Sequence, residues 1–307
     1  MTGPTLHPPL GFHQTGERDN NEDFIYPLLA EVSASDRLFL VCDGVGGGVK
    51  GEVASQIVAG EVAAYFRAQP GPSDDETVMG ALRSAEVALD LYLKKDPSAA
   101  GMATTMTLLH LHELGATVAH VGDSRVCCCR NGQIRFETDD HKLVNEWVKQ
   151  GILTPEQATN HPERNVITRA VRGTARPAQA DVALLKGVQA DDYFFLCTDG
   201  VLENLTSNQL SHILATTDSD ADKVAAIRLI CDGYTQDNYS AYLIHVQSVD
   251  LPASPENDST TAAPMSIPLG FAADPLPDAS GWVRALKRFF TKKPGQSRPV
   301  QSVVNRS

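Results

Sequence analysis

Long apolar runs are missing from this sequence of 307 residues. The longest, at residues 38–42 and 193–197, hold about five residues each, whereas a membrane-spanning helix needs roughly 18 or more. The N-terminus has no basic start followed by an apolar stretch, so the sequence predicts no signal peptide. These absences argue against a transmembrane helix and lead us to expect a cytoplasmic protein.

Basic residues are scarce as well. The chain has 26 Lys and Arg against 38 Asp and Glu, which gives a formal net charge of −12. Because nucleic acids are bound through clustered Lys and Arg, this balance argues against a nucleic-acid partner. Apolar residues make up 42% of the chain, which is enough for a sizeable core in one large domain or two small ones.

Cysteine pairs with metal-binding spacing are also absent, since none of the six cysteines forms a C-x-x-C motif. Three cysteines are consecutive, at residues 127–129. Neighbouring residues of a strand point to opposite faces, so this triplet cannot form one ligand cluster. We expect all six to be reduced core residues.

The composition changes near residue 248, where a stretch rich in Pro, Ser, Thr, Asp and Ala begins with no helical or strand period. This change predicts three parts: a folded domain at 1–248, a disordered linker at 249–280 and a basic tail at 281–307.

The tail holds seven basic residues and no acidic one. Ser280 is placed as the N-cap of a short amphipathic helix whose apolar side includes Trp282, Phe289 and Phe290. Such a helix suits an anionic membrane surface, which would make the protein membrane-peripheral. It could equally fold back onto the acidic domain or bind a partner protein.

Strand and helix patterns follow one another irregularly before the linker. β-branched and apolar runs predict strands at 38–41, 103–111, 116–129, 193–197 and 240–249, whereas 3.6-residue spacing predicts helices at 51–68, 75–94 and 221–231. Short turns at Leu114-Gly115 and Asn131-Gly132 indicate antiparallel hairpins. Because this order is not a regular β-α-β alternation, we predict an α+β sandwich.

Three of the predicted strands run directly into an aspartate flanked by glycine. These aspartates are Asp43, Asp123 and Asp199. Asp-Gly pairs often form simple turns, and for any one pair that is the simpler interpretation. Three such strand ends, together with the acidic cluster at 18–23 and the pair at 237–238, instead favour a site where carboxylates converge.

Converging carboxylates repel one another unless a cation lies between them. Oxygen-only ligands without nearby His or Cys select Mg²⁺ or Mn²⁺ over zinc. Two such ions can activate a water for in-line displacement at phosphorus. Arg18 stands beside the acidic cluster, and its guanidinium is suited to binding phosphate, although alone it would be read as a solvated charge.

Six motifs carry a family resemblance. They are R-x-x-N-E-D at 18–23, V-C-D-G-V-G-G at 41–47, G-M-A-T-T at 101–105, V-G-D-S-R at 121–125, C-T-D-G at 197–200 and D-N-Y-S at 237–240. In this order they resemble the metal-dependent protein phosphatase family, type 2C, over about residues 10–248. The segment at 161–171 resembles the compact bacterial serine/threonine phosphatases. The resemblance implies a four-layer sandwich of two antiparallel β-sheets flanked by helices, with a metal cleft at one end.

The resemblance also implies which residues hold the metals. Asp43 would bridge two Mn²⁺ or Mg²⁺ ions, and the carbonyl of Gly44 would bind one of them. The ligands of the other core ion would be Glu22, Asp199 and Asp237.

Further roles follow from the same resemblance. Asp123 and Asp199 would hold a third ion, as in compact bacterial members. Arg18 would hold the substrate phosphate. Asp23 and Asn238 would orient metal ligands or waters.

The sequence departs from the family pattern at Val45, where several relatives have a histidine proposed as general acid. Ser240 stands where threonine is common and keeps the hydroxyl. Residues around 140–172 would form a mobile flap beside the cleft. For His141 and His161, both in that segment, helix or loop packing is the simpler interpretation.

The function implied is hydrolysis of phosphoserine and phosphothreonine in proteins by metal-activated water, without a phosphoenzyme. By family analogy, a Ser/Thr kinase is an expected partner and substrate. The alternative is a catalytically silent relative that binds a phosphoprotein or a kinase. Its signature would be the loss of metal carboxylates, and none is lost here.

Overall fold

The computed structural model describes residues 3–45 and 50–249 of the chain. The predicted linker and basic tail lie outside the described residues. The strands are β1 (Pro4–Leu6), β2 (Leu10–Gln14), β3 (Asp23–Tyr26), β4 (Leu38–Val45), β5 (Ala103–Thr104), β6 (Met106–His112), β7 (Gly115–Val121), β8 (Arg125–Arg130), β9 (Gln133–Glu137), β10 (Asp181–Leu185), β11 (Tyr193–Cys197) and β12 (Tyr239–Val249). The α-helices are α1 (Gly51–Ala68), α2 (Asp75–Lys95), α3 (Leu143–Lys149), α4 (Pro155–Thr159), α5 (Asp199–Leu202), α6 (Ser207–Leu214) and α7 (Asp220–Cys231).

The strands form two six-stranded antiparallel sheets. One has the order β1-β12-β11-β8-β9, with β2 also paired to β12. The other has the order β10-β7-β6-β4-β3, with β5 also paired to β4. This arrangement confirms the predicted α+β fold of two antiparallel sheets with helices.

Each sheet is buried on both faces, which explains the unbroken apolar runs. In β4, Leu40 and Cys42 pack against α1 and α2, whereas Phe39 and Val41 face the other sheet. The second sheet is covered on its outer face by α5, α6 and α7. Because successive strand residues point to opposite faces, a strand between two apolar layers has no polar alternation.

The cysteine triplet of β8 follows the same rule. Cys128 lies between the two sheets, whereas Cys127 and Cys129 face the helices on the outer side. All six cysteines are buried and none forms a disulfide. The prediction of reduced core cysteines is therefore confirmed.

The two long helices begin and end where the sequence predicts, within one residue. Asp74 caps α2 by accepting a hydrogen bond from the backbone N–H of Thr77 at 2.9 Å. The 3.6-residue apolar pattern of α2 includes Val87 and Leu91, but these two side chains are about half exposed. The stripe that packs runs through Val78, Ala81, Leu82, Ala85 and Leu89, and Val87 lies nine residues from Val78, on the opposite side of the helix.

The predicted strand at 116–129 is in fact two strands. The chain turns at residues 122–124 between β7 and β8, and the two strands belong to different sheets. Gly122 has φ of 102°, a conformation that glycine adopts readily. This break leaves Asp123 in the turn between the sheets.

Among the helices of the described residues, none combines the length and the apolar character needed to cross a bilayer.

The core between the sheets should dominate stability. Phe194 is fully buried there, so Phe194→Ala should lower the free energy of unfolding by about 3–5 kcal/mol through lost burial and a cavity. Leu184, 43% exposed on β10, gives the control Leu184→Ala, expected to cost less than about 1 kcal/mol. Urea unfolding followed by fluorescence measures both, and equal losses would contradict this account of the core.

Candidate functional site

One cleft collects the predicted site residues at an end of the sandwich. Eight of the nine line it, and Asp23 lies outside its lining. The segment predicted as a flap contributes Asn165 and Ile167 to the wall, and Val45 is also exposed to the cleft. The lining is Arg18, Asp19, Asn20, Glu22, Asp43, Gly44, Val45, Asp123, Asn165, Ile167, Asp199, Asp237 and Asn238.

Asp43 is fixed by threonines of the neighbouring strand segment. Its backbone N–H donates to Thr105 Oγ1 at 3.0 Å, and its carbonyl accepts from the Thr105 N–H at 2.8 Å and the Thr104 hydroxyl at 2.8 Å. Thr105 Oγ1 also lies 2.7 Å from the hydroxyl of Ser124, next to Asp123. The motif at 101–105 thus positions two of the predicted carboxylates, a role that the sequence alone did not indicate.

Glycines bring Glu22 against the start of α1. A Cβ on Gly44 would lie 2.3 Å from the backbone of Gly51, and one on Gly51 would lie 2.5 Å from the Glu22 carboxylate. The Gly44 N–H also donates to the Glu22 carbonyl at 3.0 Å. Only residues without side chains permit this approach, which places the Glu22 carboxylate beside the Gly44 backbone.

Asn238 holds the loop that carries the acidic cluster. Its Oδ1 accepts from the N–H of Glu22 at 2.8 Å, and its Nδ2 donates to the carbonyls of Thr15 and Asn20 at 2.7 and 2.8 Å. The preceding residue, Asp237, accepts a hydrogen bond from Arg18 at 2.8 Å. These contacts fix Glu22 and Asp237 on the same side of the cleft.

Asp23 lies behind the cleft, paired in register with Asp43 on the adjacent strand. Its Oδ2 accepts from the hydroxyls of Thr198 at 3.0 Å and Ser240 at 2.6 Å, whereas its buried Oδ1 has no hydrogen-bond partner. The Ser240 hydroxyl therefore donates the hydrogen bond to Asp23 that a threonine hydroxyl at this position could also donate. A buried carboxylate oxygen without a hydrogen bond is unusual, and a nearby positive charge would compensate for it.

Burial and mutual repulsion keep protons on these carboxyls. Burial, then the charges of Asp199 and Asp23, raises the pKa of Asp43 well above its usual range. Burial, then Asp123, raises the pKa of Asp199 to about 7. Burial raises the pKa of Asp23 to about 8 despite its two hydroxyl donors. Oxygen donors under such repulsion fit hard divalent cations, as predicted for Mg²⁺ or Mn²⁺.

Asp123 has a partner that the sequence did not predict. Nζ of Lys142 lies 3.2 Å from Asp123 Oδ2 and 3.3 Å from Asp140 Oδ2. Asp140 is also bound by Arg125 through Nε at 2.5 Å and Nη2 at 2.9 Å. The sequence around residue 140 does not indicate the contact between Lys142 and Asp123. The contact depends on tertiary folding, because this segment folds back onto the turn before β8.

A second group of potential metal ligands lies outside the cleft: His120, His141 and Asp181. The two imidazoles stack at 4.3 Å between centroids. Nδ1 of His141 accepts from the Gly122 N–H at 3.0 Å, which places its proton on Nε2, 3.2 Å from Asp181 Oδ2. His120 Nε2 lies 2.9 Å from the Asp139 carbonyl and donates to it. His141 therefore has a packing and hydrogen-bonding role, in line with the simpler interpretation.

The family comparison agrees with this geometry. The family model described as "Protein phosphatase 2C" matches residues 11–225. The chain belongs to this family. The protein phosphatase 2C match covers every predicted site residue except Asp237 and Asn238, which lie just beyond its end.

Relatives and solved structures support the same assignment. The serine/threonine protein phosphatase PstP of Mycobacterium tuberculosis is 30% identical over 234 residues, which is 76% of this chain and 43% of that relative's length. The chain thus spans less than half of this protein phosphatase 2C relative. The crystal structure of Stp1 from Staphylococcus aureus has a TM-score of 0.70 at 29% identity and covers 81% of this chain and 98% of its own. The PstP catalytic domain "in complex with 2 Manganese ions" has a TM-score of 0.67 at 27% identity, covering 80% and 99%.

Carboxylate repulsion predicts an inverse dependence of stability on pH for the metal-free protein. The pKa of Asp199 is 3.8 in model compounds and about 7 in the folded chain. Between these values the folded state binds more protons than the unfolded state, so this group's contribution to stability falls as pH rises.

Asp43→Asn, which removes one repelling carboxyl, should therefore stabilise the chelator-treated protein at pH 8 by roughly 2 kcal/mol, since one pKa unit corresponds to about 1.4 kcal/mol. Near pH 4, close to the pKa of 3.8 that this carboxyl has in model compounds, the difference should nearly vanish. Urea unfolding at both pH values, with the exposed-site variant Glu31→Gln as control, measures this. A variant no more stable than the wild type at pH 8 would contradict the repulsion described here.

Proposed function

We propose that the chain is a Mn²⁺- or Mg²⁺-dependent protein serine/threonine phosphatase that hydrolyses phosphoserine and phosphothreonine. The observation that carries the proposal is the convergence of Glu22, Asp43, Asp199 and Asp237 on one cleft with Arg18 at its edge. A silent binding relative would have no need to keep so many repelling carboxylates. Family membership and the two manganese ions named for a related structure add support.

In this proposal Asp43 would be a ligand shared by two ions, and the Gly44 carbonyl would bind one of them. Glu22, Asp199 and Asp237 would hold the other. When bound, the ions supply the charge that lowers the pKa of water for attack on phosphorus. The backbone of Asp43 donates to Thr105 Oγ1 and accepts from the Thr104 hydroxyl and the Thr105 N–H, and these hydrogen bonds hold it in place during the reaction.

Arg18 binds the substrate phosphate in this proposal. Its side chain is 59% exposed at the edge of the cleft and contacts Asp237. A cation held by the Asp237 carboxylate would neutralise its negative charge and so leave the Arg18 guanidinium available for phosphate oxygens. The planar fork of Arg suits bidentate binding of phosphate.

In this proposal the phosphoryl group is transferred directly to water, without a phosphoenzyme intermediate. No cysteine belongs to the cleft lining among the described residues, and burial raises the pKa of the thiols of Cys42, Cys197 and Cys231. A thiol kept protonated is a poor nucleophile. Val45 cannot donate a proton, so the leaving serine or threonine oxygen must take its proton from another group.

The proposed substrates are phosphorylated proteins, including a Ser/Thr kinase. We further propose that residues 1–248 form the catalytic domain, and that the segments 249–280 and 281–307 act as a linker and as a membrane or partner contact. The protein would then be cytoplasmic, or peripheral to a membrane through its tail.

The first test is the loss of turnover when the bridging carboxylate is removed. Asp43→Asn should lower kcat for a phosphothreonine peptide by at least about 100-fold, because both ions lose a shared ligand. Phosphate release is measured after chelator treatment, with and without added Mn²⁺. Glu31→Gln serves as the control and should keep full activity. Chelator-resistant hydrolysis, or an active Asp43→Asn variant, would refute the two-ion proposal.

The second test separates Arg18 from the metals. Arg18→Ala should raise KM for the phosphopeptide by about 10-fold or more, as expected for a lost charged hydrogen bond. Mn²⁺ affinity should not fall, because the substitution removes a competitor for Asp237. Arg18→Lys should recover part of the loss. An unchanged KM in Arg18→Ala would show that this residue does not bind the phosphate.

A further inference from the structure

Lys142 places a positive charge inside the carboxylate site. Its Nζ lies between two buried carboxylates, 3.2 Å from Asp123 Oδ2 and 3.3 Å from Asp140 Oδ2. The Lys142 side chain is 18% exposed, and those of Asp123 and Asp140 are 4% and 2% exposed. A charged group is this deeply buried only when it is paired.

The two carboxylates depend on Lys142 to different degrees. Asp140 already accepts two hydrogen bonds from Arg125. For Asp123, Lys142 provides the only ion pair found within residues 3–45 and 50–249. Without Lys142, Asp123 would therefore be a buried carboxylate with no positive partner, which is costly.

Asp199, the second carboxylate proposed for a third cation, lines the same cleft as Asp123. Burial raises the pKa of Asp199, and the positive charge of Lys142 acts against that rise. A charge that pairs with Asp123 therefore also acts on the second proposed ligand.

We propose that the Lys142 ammonium is a built-in cation of the Asp123 site, and that a third divalent ion can bind there only by displacing it. This inference rests on the proposed function, which assigns Asp123 and Asp199 to a third ion. Among the carboxylates proposed for the two core ions, Asp237 pairs with Arg18, whose side chain is 59% exposed, whereas the Lys142 side chain is 18% exposed. An exposed charge is screened by solvent, so Lys142 should weaken the third site more than Arg18 weakens the first two.

Displacement has to occur through the side chain. The Lys142 backbone is fixed by its N–H bond to the Asp140 carbonyl at 2.9 Å and by a β-bridge to Ile167. The Lys142 side chain is long and flexible, so its ammonium group can move away from Asp123 while the backbone stays in place.

The test counts manganese ions. Chelator-treated full-length protein is titrated with Mn²⁺, and free Mn²⁺ is measured by its electron paramagnetic resonance signal. The wild type should hold two ions tightly and a third at least about 10-fold more weakly. Lys142→Met keeps the length of the side chain without its charge, and should strengthen the third site by about 10-fold or more. Lys142→Gln is a second neutral variant should Lys142→Met fail to fold.

Matched variants identify the cause. Lys142→Arg keeps the charge and should behave as the wild type. Lys149→Met removes an exposed charge paired with exposed Asp139 and should not alter Mn²⁺ binding. Asp123→Asn should abolish the gained site in the Lys142→Met protein, yet leave the two tight sites of the wild type unchanged.

The outcomes distinguish this inference from the proposed function. A wild type without any tight Mn²⁺ site would refute the proposed function. Two tight sites in the wild type, with a third site of the same affinity in the wild type and Lys142→Met, would refute the role of Lys142 alone. An equal gain in Lys149→Met would show a general effect of net charge.

Discussion

Repulsion between buried carboxylates is the constraint on which the cleft depends. Asp43, Asp199 and Asp123 come from three different strand ends. Besides burial, the charges of Asp199 and Asp123 raise the pKa of Asp43, and the charge of Asp123 raises the pKa of Asp199. The chain does not relieve this repulsion by moving the groups apart. It surrounds them with hydroxyl donors, close-packed glycines and one buried lysine, which leaves a site prepared for cations.

The two-sheet sandwich is what makes this arrangement rigid. The strands that carry Asp43 and Asp199 are each covered on both faces by apolar layers. Moving either carboxylate outward would require repacking two cores at once, and interiors of this density resist such shifts. The free energy gained by packing the two cores therefore offsets the unfavourable repulsion among the cleft carboxylates.

Much of the cleft was predictable because its carboxylates follow local patterns. A buried strand that ends at Asp-Gly can be recognised from a few residues, and the 3.6-residue spacing of α1 and α2 can be recognised as well. Lys142 could not be predicted, since its contact with Asp123 joins two segments through tertiary folding. The split of 116–129 was missed although Gly-Asp-Ser-Arg at 122–125 interrupts the apolar run, because the run resumes directly after it. Short elements such as β1, β5 and α4 carry too few residues for any period to show.

Strand β12 gives the fold a particular order of assembly during synthesis. It pairs with β1, β2 and β11, and roughly 220 residues separate β2 from it. At a translation rate of about 5–20 residues per second, β2 waits on the order of ten seconds or longer for its partner. Asp237 and Asn238 immediately precede β12, so the last carboxylate reaches the cleft only as the central strand is added. The growing chain therefore lacks both the β2–β12 pairing and its last cleft carboxylate until residues 237–249 have been synthesised.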